Sequence, residues 1–249
     1  MNPLGESQGK TEFERDWSAR FREFARAHDD DAGIAGWSPT GLAARLRHFE
    51  HYFEASRARG LWLDAGCGAG TYSRHLRQLG AEVIGLDYSF DALRKARLRD
   101  DIGVVYVAGD VTRLPLRGES FDGVLCFGVT QALSGSEAAV RALTAVTRAG
   151  GEVWIDGLNA WCIPHVFEVV SRRLLGRRAH LRYERPGQVL RAMRAAGWQP
   201  ELYWLPIVPA RWARFQRLLE AHWVKRLLHA VLPLGALLSH SFVVRARRA

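Results

Sequence analysis

The chain has 249 residues, 48% of them hydrophobic and 24% charged, a globular balance with length enough for one full α/β core. That composition excludes a disordered or fibrous chain, and no apolar run reaches the ~20 residues that a membrane span needs; the longest, 227–238, is broken by Pro233 and Gly235. The formal charge of +9 is uneven, with 16 Arg or Lys against 3 Asp or Glu in residues 171–249, which suits an anionic partner (phospholipid, a phosphorylated carrier, nucleic acid) or reflects Arg decorating solvated helix faces. The first residues, MNPLGESQGK, are polar and lack the apolar stretch of a secretory leader. Residues 11–56 read as helix: Phe13, Trp17, Phe21 and Phe24 recur on one face, Asp29–Asp31 and Gly33 break the pattern, and a second helix starts at Ser38-Pro39 with Leu42, Leu46, Phe49 and Phe53. From residue 60 short apolar runs alternate with amphipathic stretches. The runs are 61–65, 82–86, 104–108, 123–127 and 152–156, each the length of a buried parallel strand, which predicts a doubly wound α/β sheet. Two further strands are expected at 199–207 and 240–247. Between them the segment 210–231 reads as one amphipathic stretch with Trp212, Phe215, Leu219, Trp223, Leu227 and Val231 on its apolar stripe.

The chemistry concentrates at the ends of the predicted strands. The first ends in Leu63-Asp64-Ala65-Gly66-Cys67-Gly68-Ala69-Gly70, a glycine-rich turn entering a helix, where backbone can approach a ligand closely. Dehydrogenases use a related turn, but here the spacing is G-x-G-x-G, and Asp64 would repel a pyrophosphate while welcoming a cationic ligand. No Tyr-x-x-x-Lys pair of a short-chain reductase is present. The second strand ends at Asp87, about 20 positions on, placed to accept from ribose hydroxyls. The third leads into Gly109-Asp110-Val111, a carboxylate for an adenine amino group and an apolar side chain for its ring. The fourth ends in Cys126-Phe127-Gly128. The three cysteines, Cys67, Cys126 and Cys162, show no metal-ligand spacing, so no metal is expected; Cys67 and Cys126 read as packing residues. This count and the missing leader predict a reduced, cytoplasmic location, with membrane-peripheral contact if the basic third is functional.

The phrases LDAGCGAG, VIGLDYS, GDVTRLPL, ESFDGVLCFGV and RAGGEVWIDGL resemble, in order and spacing, the class I S-adenosylmethionine (SAM)-dependent methyltransferases, in particular the ubiquinone/menaquinone-methyltransferase-like (methyltransferase type 11) group. The resemblance implies a Rossmann-like sheet of seven mostly parallel strands with the last antiparallel. It implies SAM as cofactor, S-adenosylhomocysteine as product, and contacts at Asp64, Gly66, Gly68, Asp87, Tyr88, Asp110, Val111 and Phe127. The chain then divides into N-terminal helices (1–57), a SAM-binding core (58–207 and 239–249) and a helical lid inserted at 208–238. In such proteins the acceptor pocket is built from the N-terminal helices and late insertions, here 11–56, 159–185 and 208–238. Trp161, Trp204, Trp212 and Trp223 with neighbouring Arg suit a lipid-like or aromatic small-molecule acceptor in biosynthesis, methylated at O, N or C; equally, the stripe packs on the core. Methyl transfer needs mainly collinear placement. Should a general base be required, His165, His180 and Tyr183 are the catalytic candidates. The basic C-terminal third raises a nucleic-acid methyltransferase as the alternative, but Gly128-Val129-Thr130-Gln131 stands where an Asn/Asp-Pro-Pro-Tyr/Phe motif would, and no Pro-Cys pair is present. A non-catalytic SAM-fold partner protein would have no need of all three carboxylates.

Overall fold

The computed structural model describes residues 10–177 and 180–248; the polar start at 1–9 and residues 178–179 and 249 lie outside it. In chain order come α1 (Glu12–Ala27), α2 (Asp31–Ile34), α3 (Pro39–Tyr52), β1 (Leu61–Ala65), α4 (Thr71–Gln78), β2 (Glu82–Asp87), α5 (Phe90–Leu98), β3 (Val105–Ala108), β4 (Phe121–Cys126), α6 (Glu137–Val146), β5 (Thr147–Leu158), α7 (Ile163–Leu174), α8 (Pro186–Ala195), β6 (Gln199–Leu205), α9 (Gln216–Leu219), α10 (His222–Ala230), α11 (Leu232–Leu238) and β7 (Ser241–Arg247). The seven strands form one sheet in the order β3-β2-β1-β4-β5-β7-β6. The pairs β1–β2, β1–β4, β2–β3 and β4–β5 are parallel, and β7 runs antiparallel to both β5 and β6. The strand order reverses between β1 and β4, which opens a crevice at their carboxyl ends.

Local chemistry explains the helix starts. Thr11 closes a capping box with Glu14, and Ser38 accepts from Gly41 N–H ahead of Pro39 in the first turn of α3. The acidic break at 29–33 contains the single turn α2, capped by Asp30. The central strands are buried on both faces, with Leu63, Val124, Leu125, Trp154 and Ile155 fully enclosed, which is why they read as continuous apolar runs.

One expectation fails. The stretch 210–231 is not a single amphipathic helix. A 3-10 turn at Ala210–Phe215 holds Trp212 at φ −112°, ψ 15°, and α9 ends before α10 begins at His222. Each break shifts the helical phase, so Trp212, Phe215, Trp223, Leu227 and Val231 face outward. Gln216, Val224, Lys225 and Leu228 are buried instead. Trp204, on β6, packs in the core.

Candidate active site

The crevice beside β1 and β4 widens into a cavity of about 920 Å³. Its floor is the turn after β1. Gly66 and Cys67 N–H both donate to the Leu86 carbonyl (2.7 and 3.0 Å), which ties the turn to β2. Gly66 sits at φ +83°, and a Cβ there would collide with Val129 Cγ2. Both facts demand glycine. A Cβ on Gly68 would meet nothing within 4 Å, so the backbone here faces open cavity.

Three carboxylates border this floor. Asp64 is buried, accepts from Ser73 Oγ (2.6 Å), and is pushed by burial up to about 6. Asp87 accepts Gly68 N–H on Oδ2 (2.9 Å) and Ser89 N–H on Oδ1 (2.8 Å). Each oxygen keeps a lone pair for a ligand, and burial raises its pKa. Asp110 Oδ1 accepts from the Thr112 backbone and hydroxyl (2.9 and 2.7 Å), while Oδ2 lies 3.2 Å from Lys10 Nζ. Burial pushes Asp110 up, but the Thr112 hydrogen bonds and Lys10 outweigh it and hold the carboxyl below its usual range.

The opposite wall is N-terminal. Lys10, Glu14, Trp17 and Phe21 reach in from α1 and the residues before it, Ile34 from α2, and Trp37 and Leu42 from the entry to α3. Polar contacts hold α1 over the crevice: Ser134 N–H donates to Glu14 Oε1 (2.8 Å), Arg26 Nε to Asp91 Oδ2 (2.7 Å), and Lys95 Nζ to the His28 carbonyl (2.6 Å). Asp31 anchors α2 on the start of α4 through Thr71 Oγ1 (2.6 Å) and Arg74 Nη2 (2.5 Å). Behind the wall lies a buried ion pair, Arg45 Nε to Asp156 Oδ2 at 3.6 Å, with the Arg45 guanidinium 4.4 Å over the Trp37 ring.

A family model described as a methyltransferase domain matches residues 63–155, the span that carries the glycine turn and all three carboxylates. Over these residues the chain is similar to a methyltransferase domain. A malonyl-[acyl-carrier protein] O-methyltransferase of Pseudescherichia vulneris is 32% identical over 160 residues, covering 63% of this chain and 60% of that protein. A ubiquinone biosynthesis O-methyltransferase of Bordetella avium is 32% identical over 149 residues, covering 55% and 61%. The chain thus spans about 60% of the length of these curated relatives. The fold matches that of the magnesium protoporphyrin IX methyltransferase of Synechocystis, solved with S-adenosylhomocysteine, at TM-score 0.58 and 15% identity, covering 95% of this chain and 96% of that one.

All eight residues expected to contact SAM line the cavity: Asp64, Gly66, Gly68, Asp87, Tyr88, Asp110, Val111 and Phe127. The donor set fits such a ligand, with carboxylates for cationic and hydroxyl groups and open backbone at Gly68. The candidate bases do not line it. His165 Nδ1 pairs with the Asn159 carbonyl (2.8 Å), and its ring stacks on Tyr183 at 4.3 Å. His180 Nε2 lies 3.3 Å from Glu168 Oε1, and Tyr183 Oη donates to Glu168 Oε2 (2.7 Å). Burial lowers both histidines and raises Tyr183. Arg182, next to Tyr183 in the chain, donates to the carbonyl of Thr130 (3.1 Å), the neighbour of cavity-lining Val129. Among the described residues none of 208–238 lines the cavity, whereas Glu14, Trp17, Ser18 and Phe21 of α1 do. Sequence reasoning missed Trp37, Tyr72, Arg45 and Asp156. Their only sequence signals were an aromatic residue next to the glycine turn and another next to the α3 cap.

Proposed function

We propose that the protein transfers a methyl group from SAM to an oxygen atom of a small or lipid-like acceptor. The observation that carries this reading is the single cavity in which a glycine turn and three strand-end carboxylates face an aromatic, apolar N-terminal wall. The choice of oxygen rests on the relatives named O-methyltransferases. SAM supplies a methyl already activated on a sulfonium. The chain's own residues bind and orient: Asp64 faces an ammonium, Asp87 the ribose hydroxyls, Asp110 the adenine end. Trp17, Phe21, Trp37 and Leu42 exclude water and hold an apolar acceptor. The methyl is already activated, so the rate enhancement comes chiefly from placement.

The acceptor is met at an anionic membrane surface. Support comes from apolar side chains left exposed on α7 and on 210–238 among arginines. Among the described residues no helix is long and apolar enough to cross a membrane, so the contact is peripheral. The three cysteines are free thiols, which fits a reducing compartment.

The test is calorimetry with S-adenosylhomocysteine followed by incubation with methyl-labelled SAM. The acceptors offered are phenolic quinone precursors and carrier-bound carboxylates, the chemistries that the relatives' names point to. Label in a base-labile ester marks a carboxylate acceptor, and label in a stable ether marks a phenol. Absence of binding heat together with absence of labelled product overturns the proposal.

A further inference from the structure

Of the described residues with a buried side-chain polar atom lacking a hydrogen bond, only two line the cavity: Tyr72, through Oη, and Trp37, through Nε1. Tyr72 is 6% exposed, and leaving such a donor unpaired is unfavourable unless a ligand completes it. Indole N–H can only donate. Burial raises the Tyr72 pKa, which keeps its proton in place for donation. The two belong to one cluster. Trp37 lies under the Arg45 guanidinium, and a Cβ on Gly128 would collide with its ring. Gly128 N–H donates to Asp156 Oδ1 (2.7 Å), and Arg45 and Asp156 are the charges that bear most on Tyr72 Oη. Arg45 Nε reaches only the Asp156 ion pair at 3.6 Å, beyond hydrogen-bond distance. This part of the wall therefore presents donors in excess of acceptors. Asp64, an acceptor, stands close enough to bear on the Tyr72 hydroxyl as well. Donors beside a carboxylate are what a zwitterion requires: an anion met by N–H and O–H groups, a cation met by an acid.

We propose that Tyr72 Oη and Trp37 Nε1 receive the α-carboxylate of the amino-acid end of SAM while Asp64 faces its ammonium. The assignment rests on the SAM reading above and extends it to two residues outside the glycine turn. It makes the N-terminal segment part of cofactor recognition, because Trp37 belongs to the loop between α2 and α3.

The experiment compares two probes by calorimetry on the full chain. One is S-adenosylhomocysteine; the other is 5′-(3-aminopropylthio)-5′-deoxyadenosine, which keeps the amine and lacks the carboxylate. Wild-type protein is expected to prefer the first by about tenfold or more, the worth of a charge-assisted hydrogen bond. Tyr72→Phe and Trp37→Phe should each shrink that preference several-fold by weakening only the carboxylate-bearing probe. Ligand-free Tyr72→Phe should melt no lower than wild type, since Oη has no partner to lose and the ring keeps its contacts with Phe127 (4.9 Å) and Phe49 (5.9 Å). Equal weakening of both probes, or of neither, overturns the proposal; the second result would turn these donors toward the acceptor instead. Wild-type protein binding neither probe would overturn the SAM reading itself, a result distinct from the other two.

Discussion

Asp64 carries the most direct consequence for solution behaviour. Its carboxyl, enclosed beneath the glycine turn, is held at about 6 because burial penalises the charge more than Ser73 stabilises it. A cationic ligand binds the ionised form. Above pH ~6 the site is ready; below it, protonation competes with binding, and affinity for S-adenosylhomocysteine falls by up to about tenfold per pH unit. Calorimetry from pH 7.5 down to 5 should show that slope, and Asp64→Asn should be weak and flat throughout. An unchanged wild-type affinity across the range would remove Asp64 from the ammonium. Asp87 acts on two levels, since its oxygens also fasten Gly68 and Ser89 N–H. Asp87→Ala should weaken binding by about 1–3 kcal/mol, and unaltered affinity would exclude it from the ribose. These acids were legible in the sequence because each ends a parallel strand, where topology alone brings them to one edge. Tyr72 and Trp37 were not. They reach one cavity because α2 docks on α4 through Asp31, and no spacing along the chain records that docking.

At the scale of elements, the sheet was readable because every central strand is a short continuous apolar run, and the antiparallel β7 followed from the resemblance. The helical segment before β7 was misread because a stripe at helical spacing presumes an unbroken helix, while Trp212 and the α9–α10 junction each reset the phase. The basic residues of the C-terminal third also divide. Some are structural: Arg245 donates to Glu152 Oε2 (3.0 Å) and Glu54 Oε1 (3.1 Å), and Arg247 donates to the same two acids. Glu152 is 1% exposed and further accepts from Trp154 Nε1 (3.0 Å). This network clamps β5 to β7 at the end of the sheet away from the cavity. Glu152→Ala would leave Arg245 buried with only Glu54 to face it, a loss of about 3 kcal/mol by urea unfolding, with S-adenosylhomocysteine affinity unchanged in the folded fraction. A loss below about 1 kcal/mol would mean that Glu54 suffices alone.

At the scale of the whole molecule, several other basic residues lie exposed on segments that also leave large apolar side chains uncovered. α7 buries His165 and little else, leaving Phe167 74% and Leu174 82% exposed along with Trp161, Ile163, Val166 and Val170. On the later segment Trp223 is 68% exposed, with Leu218, Leu237 and Leu238 also out. The two segments meet: Asn159 Nδ2, just ahead of α7, donates to the carbonyls of Ala236 and Ser239 (2.6 and 2.8 Å) at the end of α11. α7 therefore leaves, and α11 arrives beside, the carboxyl end of β5, the edge that also carries the cavity. Apolar exposure of this extent marks an interaction surface, and the exposed Arg173, Arg177, Arg211, Arg214, Arg217 and Arg226 on or beside the same segments suit anionic headgroups. Vesicles rich in phosphatidylglycerol should co-sediment the protein and phosphatidylcholine vesicles should not, with binding that falls as salt screens the arginines. Replacing Phe167 and Trp223 together by Glu removes two side chains worth about 1.5–3 kcal/mol each when buried, so membrane affinity should fall by two or more orders of magnitude. Both positions are exposed, so folding and S-adenosylhomocysteine binding should survive. If the patch instead joins two copies of the chain, wild-type protein will sediment as a dimer, the double variant as a monomer, and neither will follow anionic vesicles; that pattern would refute the membrane assignment and leave the cavity's chemistry untouched.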